Sequence, residues 1–146
     1  HAMEFSTVVD IEASPSVVWA LMRDVERWHE WTASIARIER LDAGPFDVGA
    51  RARVYQPKLP PAVWQGTRLE AGHGFKWVSW APGALMTGDH YVEPAGAGSR
   101  ARLGLRYEGP VGQLIGRLFA GITRRYVTME GEGLKRRAEA SVATVR

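Results

Sequence analysis

Between residues 33 and 109 the chain falls into six short stretches in which polar and apolar side chains alternate, and past residue 110 that alternation gives way to steps of three and four. The stretches ASIARIERLD, GARARVYQP, AVWQGTRLEA, FKWVSWAP, LMTGDHYVEP and SRARLGLRYEG are separated by brief connectors, most of them carrying Gly or Pro, which suits consecutive antiparallel strands. The segment from Val111 to Ala140 places Ile115, Leu118, Phe119, Ile122, Tyr126 and Met129 at helical spacing and predicts one long amphipathic helix. Its glycines at 116, 121, 131 and 133 mark either a bend or close approach to another element. A chain of this pattern has one sheet and one long helix to cover it, so one sheet face faces solvent and the fold class is α+β.

The N-terminal part completes the order. Phe5, Thr7, Val9 and Ile11 alternate with polar residues as a half-buried strand, and Ser14-Pro15 reads as an N-cap and first-turn proline for a short helix carrying Val17, Val18, Leu21, Met22 and Val25. Asp24 is placed to cap a second short turn in which Trp28 and Trp31 share a side. Residues 1–3 read as an expression-tag remnant, and 4–146 as a single domain large enough to bury a core unaided.

Composition narrows the chemistry. The absence of cysteine removes disulfides, thiolate nucleophiles and Cys-zinc sites, and points to a reducing cytoplasm. No apolar run approaches the roughly 20 residues of a membrane span, and no export leader is read, so no stable membrane insertion is expected. The net charge of +3 rests on arginines scattered along strands and helix, a weak footprint for nucleic acid, which is not expected as a partner. Outside the tag, His29, His73 and His90 form no metal-ligand spacing, there is no nucleophile elbow, and AGAGS at 95–99 leads into a strand rather than a helix; no metal or cofactor is expected.

Charged positions set the parity of each strand. Arg100, Arg102 and Arg106 point outward and leave Ala101, Leu103, Leu105 and Tyr107 inside; Lys76 leaves Phe75, Trp77 and Ser79 inside; Arg51 and Arg53 leave Ala52, Val54 and Gln56 inside. Asp89 and Glu93 turn Gly88, His90 and Val92 inward. In AVWQGTRLE the charges put Val63, Gln65, Thr67 and Leu69 inside and Trp64 outside, unless Gly66 carries a bulge.

VVDIEASPSVVWALMRDVERWHEW, the aromatic FKW strand, DHYVEPAGAGSRARL and the amphipathic C-terminal segment together resemble the START-like, or SRPBCC, superfamily in its polyketide cyclase/dehydrase-like branch. Nearly the whole chain takes part, although these motifs describe packing and turns more than chemistry. Where the family commonly carries proline after the first Trp of the paired-Trp segment, this chain has Trp28-His29-Glu30-Trp31. The resemblance implies a helix-grip fold, a curved antiparallel sheet wrapped around the C-terminal helix with an apolar cavity between them, and a lipid-, sterol- or polyketide-like ligand.

With parity, this yields a candidate ligand-binding set: Val54, Gln65, Trp77, His90, Val92, Leu103, Leu105 and Tyr107 from the sheet and Leu118, Ile122 and Tyr126 from the helix. Leu59, Leu85 and Met86, from the apolar loop tips PKLPP and APGALM, are placed to meet an entering ligand, or else to pack on the helix or on a second copy in a homodimer. His90 is read first as a polar anchor for that ligand; a purely structural hydrogen bond and general acid/base catalysis with Tyr107 are the alternatives, the last implying a cyclase or dehydratase.

Overall fold

The computed structural model describes residues 2–145, side chains through residue 143. Strand β1 (Met3–Ile11) leads into α1 (Pro15–Arg23) and a 3-10 helix (Val25–Glu30), followed by β2 (Arg37–Arg40), β3 (Arg51–Tyr55), β4 (Ala62–Glu70), β5 (Gly74–Ala81), β6 (Ala84–Ala95) and β7 (Gly98–Glu108). Helices α2 (Pro110–Leu118) and α3 (Ala120–Val145) close the chain. The strands form a single antiparallel sheet in the order β1-β7-β6-β5-β4-β3-β2, so β1 returns to pair with β7. This is the expected helix-grip architecture.

Local chemistry accounts for the element boundaries. The Ser14 hydroxyl accepts from the Val17 amide at 3.4 Å and Pro15 opens α1. The Asp24 side chain makes no capping hydrogen bond, its carbonyl accepts from the Arg27 amide at 3.0 Å, and the turn it precedes is 3-10. That turn nevertheless buries Trp28, whose indole N–H donates to the Met22 carbonyl at 3.0 Å. The long core runs from α1 and the 3-10 turn across the concave sheet face to Leu134 and Ala138 of α3.

Two expectations are corrected. The single C-terminal helix is two, because Phe119 leaves helical geometry (φ −106°, ψ 18°) between α2 and α3. The glycines serve the other expected purpose farther on: a Cβ at Gly133 would collide with the Trp31 carbonyl, so its absence lets α3 press against the end of the 3-10 turn. In β4 the register shifts between Gly66 and Arg68. Gly66 exchanges backbone hydrogen bonds with Gly49 and Ala50, and a Cβ there would stand 2.9 Å from the Asp47 carbonyl oxygen. The bulge reverses the parity of the strand's first half, so Trp64 turns toward the concave side while Val63 and Gln65 turn away.

Candidate functional site: a cavity between sheet and helix

The concave face and α3 enclose a cavity of about 80 Å³. That is space for roughly two or three water molecules, and the cavity is partly open to solvent. Its sheet wall comes from Val54, Trp64, Trp77, Gly88, His90, Leu103, Leu105 and Tyr107, its helix wall from Thr123, Tyr126, Val127 and Glu130. Trp28 and Ile35 contribute from the segment before β2, and Gln56 and Leu59 from the β3–β4 loop.

One end is aromatic. The His90 ring lies parallel to Phe75 (centroids 4.5 Å apart, 17° between planes) and packs against Trp28 at 4.9 Å and edge-on to Trp77 at 5.8 Å. His90 is only 5% exposed. Its Nε2 approaches Glu130 Oε1 to 3.2 Å, yet the angle is too poor for a hydrogen bond, and both Glu130 Oε1 and His90 Nδ1 are buried without a hydrogen-bond partner. Two polar atoms without hydrogen-bond partners therefore sit at the aromatic end of the cavity.

Elsewhere the wall is hydrogen-bonded. Tyr107 and Thr123 pair through their hydroxyls at 3.1 Å. Burial pushes the Tyr107 phenol above its ordinary 10.0, against the smaller lowering effect of the Thr123 hydrogen bond. Tyr107 thus remains a phenol, able to donate, throughout the neutral range. At the loop side the Tyr126 hydroxyl donates to the Pro57 carbonyl, and the neighbouring Lys58 holds a left-handed backbone (φ 68°).

Of the residues singled out from sequence, Val54, Trp77, His90, Leu103, Leu105, Tyr107, Tyr126 and Leu59 line the cavity. Six do not. Gln65 is turned aside by the β4 bulge and its side-chain amide donates to the Gly49 carbonyl at 3.3 Å. Val92 is buried in the core beyond the cavity, while Met86 packs in the smaller cluster around Phe5 and Tyr107. Leu85 and Leu118 are exposed, Leu118 at 71%, and Ile122 is half-buried outside the cavity wall.

The helix error has one cause. The apolar positions 118, 122 and 129 suggested the inner stripe, whereas the inner stripe is Thr123, Val127, Glu130, Leu134 and Ala138. Two of those five are polar, so a hydrophobicity pattern assigns them to solvent. The available cue was Glu130 itself, four and three residues from Tyr126 and Val127, a carboxyl on the same helix face as two large hydrophobic side chains. Trp28, read from sequence as core or rim, and Trp64, sent outward, also line the cavity.

A curved seven-stranded sheet closed over a cavity by a C-terminal helix defines a helix-grip protein. The chain belongs to the family described as polyketide cyclase / dehydrase and lipid transport, whose model matches residues 2–139. Among solved structures it resembles the Zhui aromatase/cyclase from Streptomyces sp. R1128, with a TM-score of 0.77, 16% identity, and coverage of 97% of this chain and 96% of that one. TTHA0849 from Thermus thermophilus gives a TM-score of 0.75 at 21% identity, covering 95% and 99%. The di-domain aromatase/cyclase StfQ of the steffimycin biosynthetic pathway gives 0.73 at 11% identity, covering 97% of this chain and 52% of StfQ. No curated protein matches the chain. Among the described residues no helix is long and apolar enough to cross a membrane.

Proposed function

We propose that the protein binds a small, predominantly apolar or aromatic molecule in the cavity between sheet and α3, with His90 and Glu130 as its polar anchor. The observation that carries this reading is the pair of buried, unpartnered atoms, His90 Nδ1 and Glu130 Oε1, set among Trp28, Phe75 and Trp77. An unsatisfied buried polar atom costs about 1–3 kcal/mol, a cost relieved when a ligand hydroxyl or carbonyl completes it. The aromatic walls favour a flat ring system by stacking and apolar burial. The small volume requires the cavity to widen for anything larger than a few atoms, and the β3–β4 loop, held by the Tyr126 hydrogen bond to the Pro57 carbonyl, is where it would yield. The proposed setting is the reducing cytoplasm suggested by a chain without cysteine.

A second reading is a cyclase or dehydratase in which His90 moves a proton beside a substrate carbonyl and Tyr107 donates to an oxygen. The neighbouring Glu130 favours it, because a carboxyl 3.2 Å from the imidazole stabilises the charged ring that forms when His90 takes up a proton. Two of the similar structures are aromatase/cyclases, which bears on this reading by analogy of fold.

Native mass spectrometry of the purified protein, followed by solvent extraction, tests the binding reading. A stoichiometric apolar molecule, lost in Glu130→Leu, supports it. An empty protein that also fails to shift its melting temperature with any member of an aromatic ligand library sinks it. Should a recovered ligand be chemically changed on incubation with wild type and unchanged with His90→Ala, the enzyme reading replaces binding alone.

A further inference from the structure

Helix α2 is mounted with its apolar face outward. Gly112 and Gly116 are buried, against Ala84 for the first and against Met3 and Tyr107 for the second, so the helix rests closely on the sheet through these glycines and Ile115, which packs against the cluster around Phe5 and Tyr107. Leu114 and Leu118 then project away from the protein, with Leu114 at 55% exposure, while the partly exposed Val111 lies over Gly83 and Phe119 is partly exposed at the break that follows. The amides of Val111 and Gly112 donate to the Gly83 carbonyl, fixing the start of α2 to the β5–β6 turn. Flanking that turn, Trp80 and Leu85 are cross-strand partners, and Trp80 is 64% exposed. Apolar side chains gathered at one end of a domain mark a surface that meets something.

Charge says what it meets. Residues 109–129 contain Arg117, Arg124 and Arg125 and no Asp or Glu. All three arginines are exposed, and none makes an ion pair among the described residues, in contrast to Arg100 and Arg106 of the sheet, which pair with Asp10 and Glu4. A second copy docked face to face across a two-fold axis would bring both copies' unpaired cations into one interface to which residues 109–129 contribute no carboxylate. An anionic lipid surface supplies both complements at once, acyl chains for leucine and tryptophan and phosphate for arginine.

We propose that α2 and the β5–β6 turn form a docking face for an anionic membrane surface, with Val111, Leu114, Leu118 and Trp80 entering the interfacial layer and Arg117 and Arg125 engaging lipid phosphates. The contact is reversible and peripheral, and it holds whether or not the cavity carries the ligand proposed above.

Vesicle flotation with the full chain tests it, using phosphatidylcholine alone and phosphatidylcholine with about one-third phosphatidylglycerol. Wild type floats with the anionic vesicles, far less with the neutral ones, and high salt weakens the association. Arg117→Gln with Arg125→Gln lowers anionic-vesicle binding roughly thirtyfold, from about five- to sixfold per cation. Leu114→Ser with Leu118→Ser lowers it about tenfold or more. All four positions are exposed, so unchanged melting temperatures verify that the variants are folded. Absence of binding to anionic vesicles, equal binding to both compositions, or binding untouched by the leucine substitutions overturns the proposal. So does a concentration-dependent dimer that Leu118→Ser breaks while vesicles are ignored, which would give the face to a second copy.

Discussion

The two ends of the cavity are built on opposite principles. At the aromatic end Trp28, Phe75, Trp77 and His90 are all buried, their rings interlock at centroid distances of 4.5–6.1 Å, and Trp28 is tied by its indole to the Met22 carbonyl. At the loop end, Leu59 is half-exposed and the β3–β4 connection is fastened by separate single hydrogen bonds, from Tyr126 to the Pro57 carbonyl and from Gln56 to the Ser34 carbonyl. A close-packed aromatic cluster resists deformation, whereas a loop held by isolated bonds opens locally. Under the proposed binding function, the aromatic end would set the shape of what binds and the loop end how fast it enters and leaves.

The largest expected effect separates the two ends by stability. Trp28→Ala removes a buried indole at the centre of the cluster and costs about 3–5 kcal/mol, while Leu59→Ala costs about 1 kcal/mol or less. Urea denaturation of the two variants measures this directly, and equal losses would erase the contrast. Glu130→Leu sharpens it differently, by relieving an unsatisfied carboxyl oxygen with an apolar side chain. Stability is expected to rise by about 1–2 kcal/mol while ligand affinity falls, a pairing of opposite signs readable by thermal shift and titration.

At the loop end, Tyr126→Phe deletes the hydroxyl that holds Pro57. The expected loss is about 1 kcal/mol, with ligand association and dissociation both accelerated in stopped-flow measurements. The smallest effect concerns the wall between the ends. Because burial raises the Tyr107 phenol in the folded state, its contribution is fully present below the unfolded value near 10.0 and is lost as pH rises through the higher folded value. Tyr107→Phe should therefore flatten the alkaline limb of a stability-versus-pH curve without altering its neutral plateau shape.

The sheet was legible in the sequence because arginine, lysine and aspartate mark the solvent parity of most strands; that is why His90, Trp77, Leu103 and Tyr107 could be assigned to the concave side from residue types alone. It failed in β4, where one extra residue at the bulge reversed Val63, Trp64 and Gln65; the cause lies in the approach of residues 47–50 to Gly66, a long-range contact that local alternation does not record. The inner face of α3 was missed for a different reason. Its cavity-side positions include Thr123 and Glu130, and a helix that turns polar side chains inward departs from the pattern by which buried faces are recognised. The apolar residues that fitted the pattern, Leu118 above all, point outward, where α2 rests on its glycines.

The anchor at His90 and Glu130 is tested most directly by nuclear magnetic resonance titration with phenol and toluene, which match in shape and differ in one hydroxyl. The indole N–H signals of Trp28, Trp64 and Trp77 report from the cavity wall. Phenol should shift them with about tenfold higher affinity than toluene, the value of roughly one buried hydrogen bond, and His90→Leu combined with Glu130→Leu should abolish that preference while leaving toluene binding intact. Indole signals that move with neither compound, or a phenol preference that survives the double substitution, would contradict a cavity anchored at these two residues.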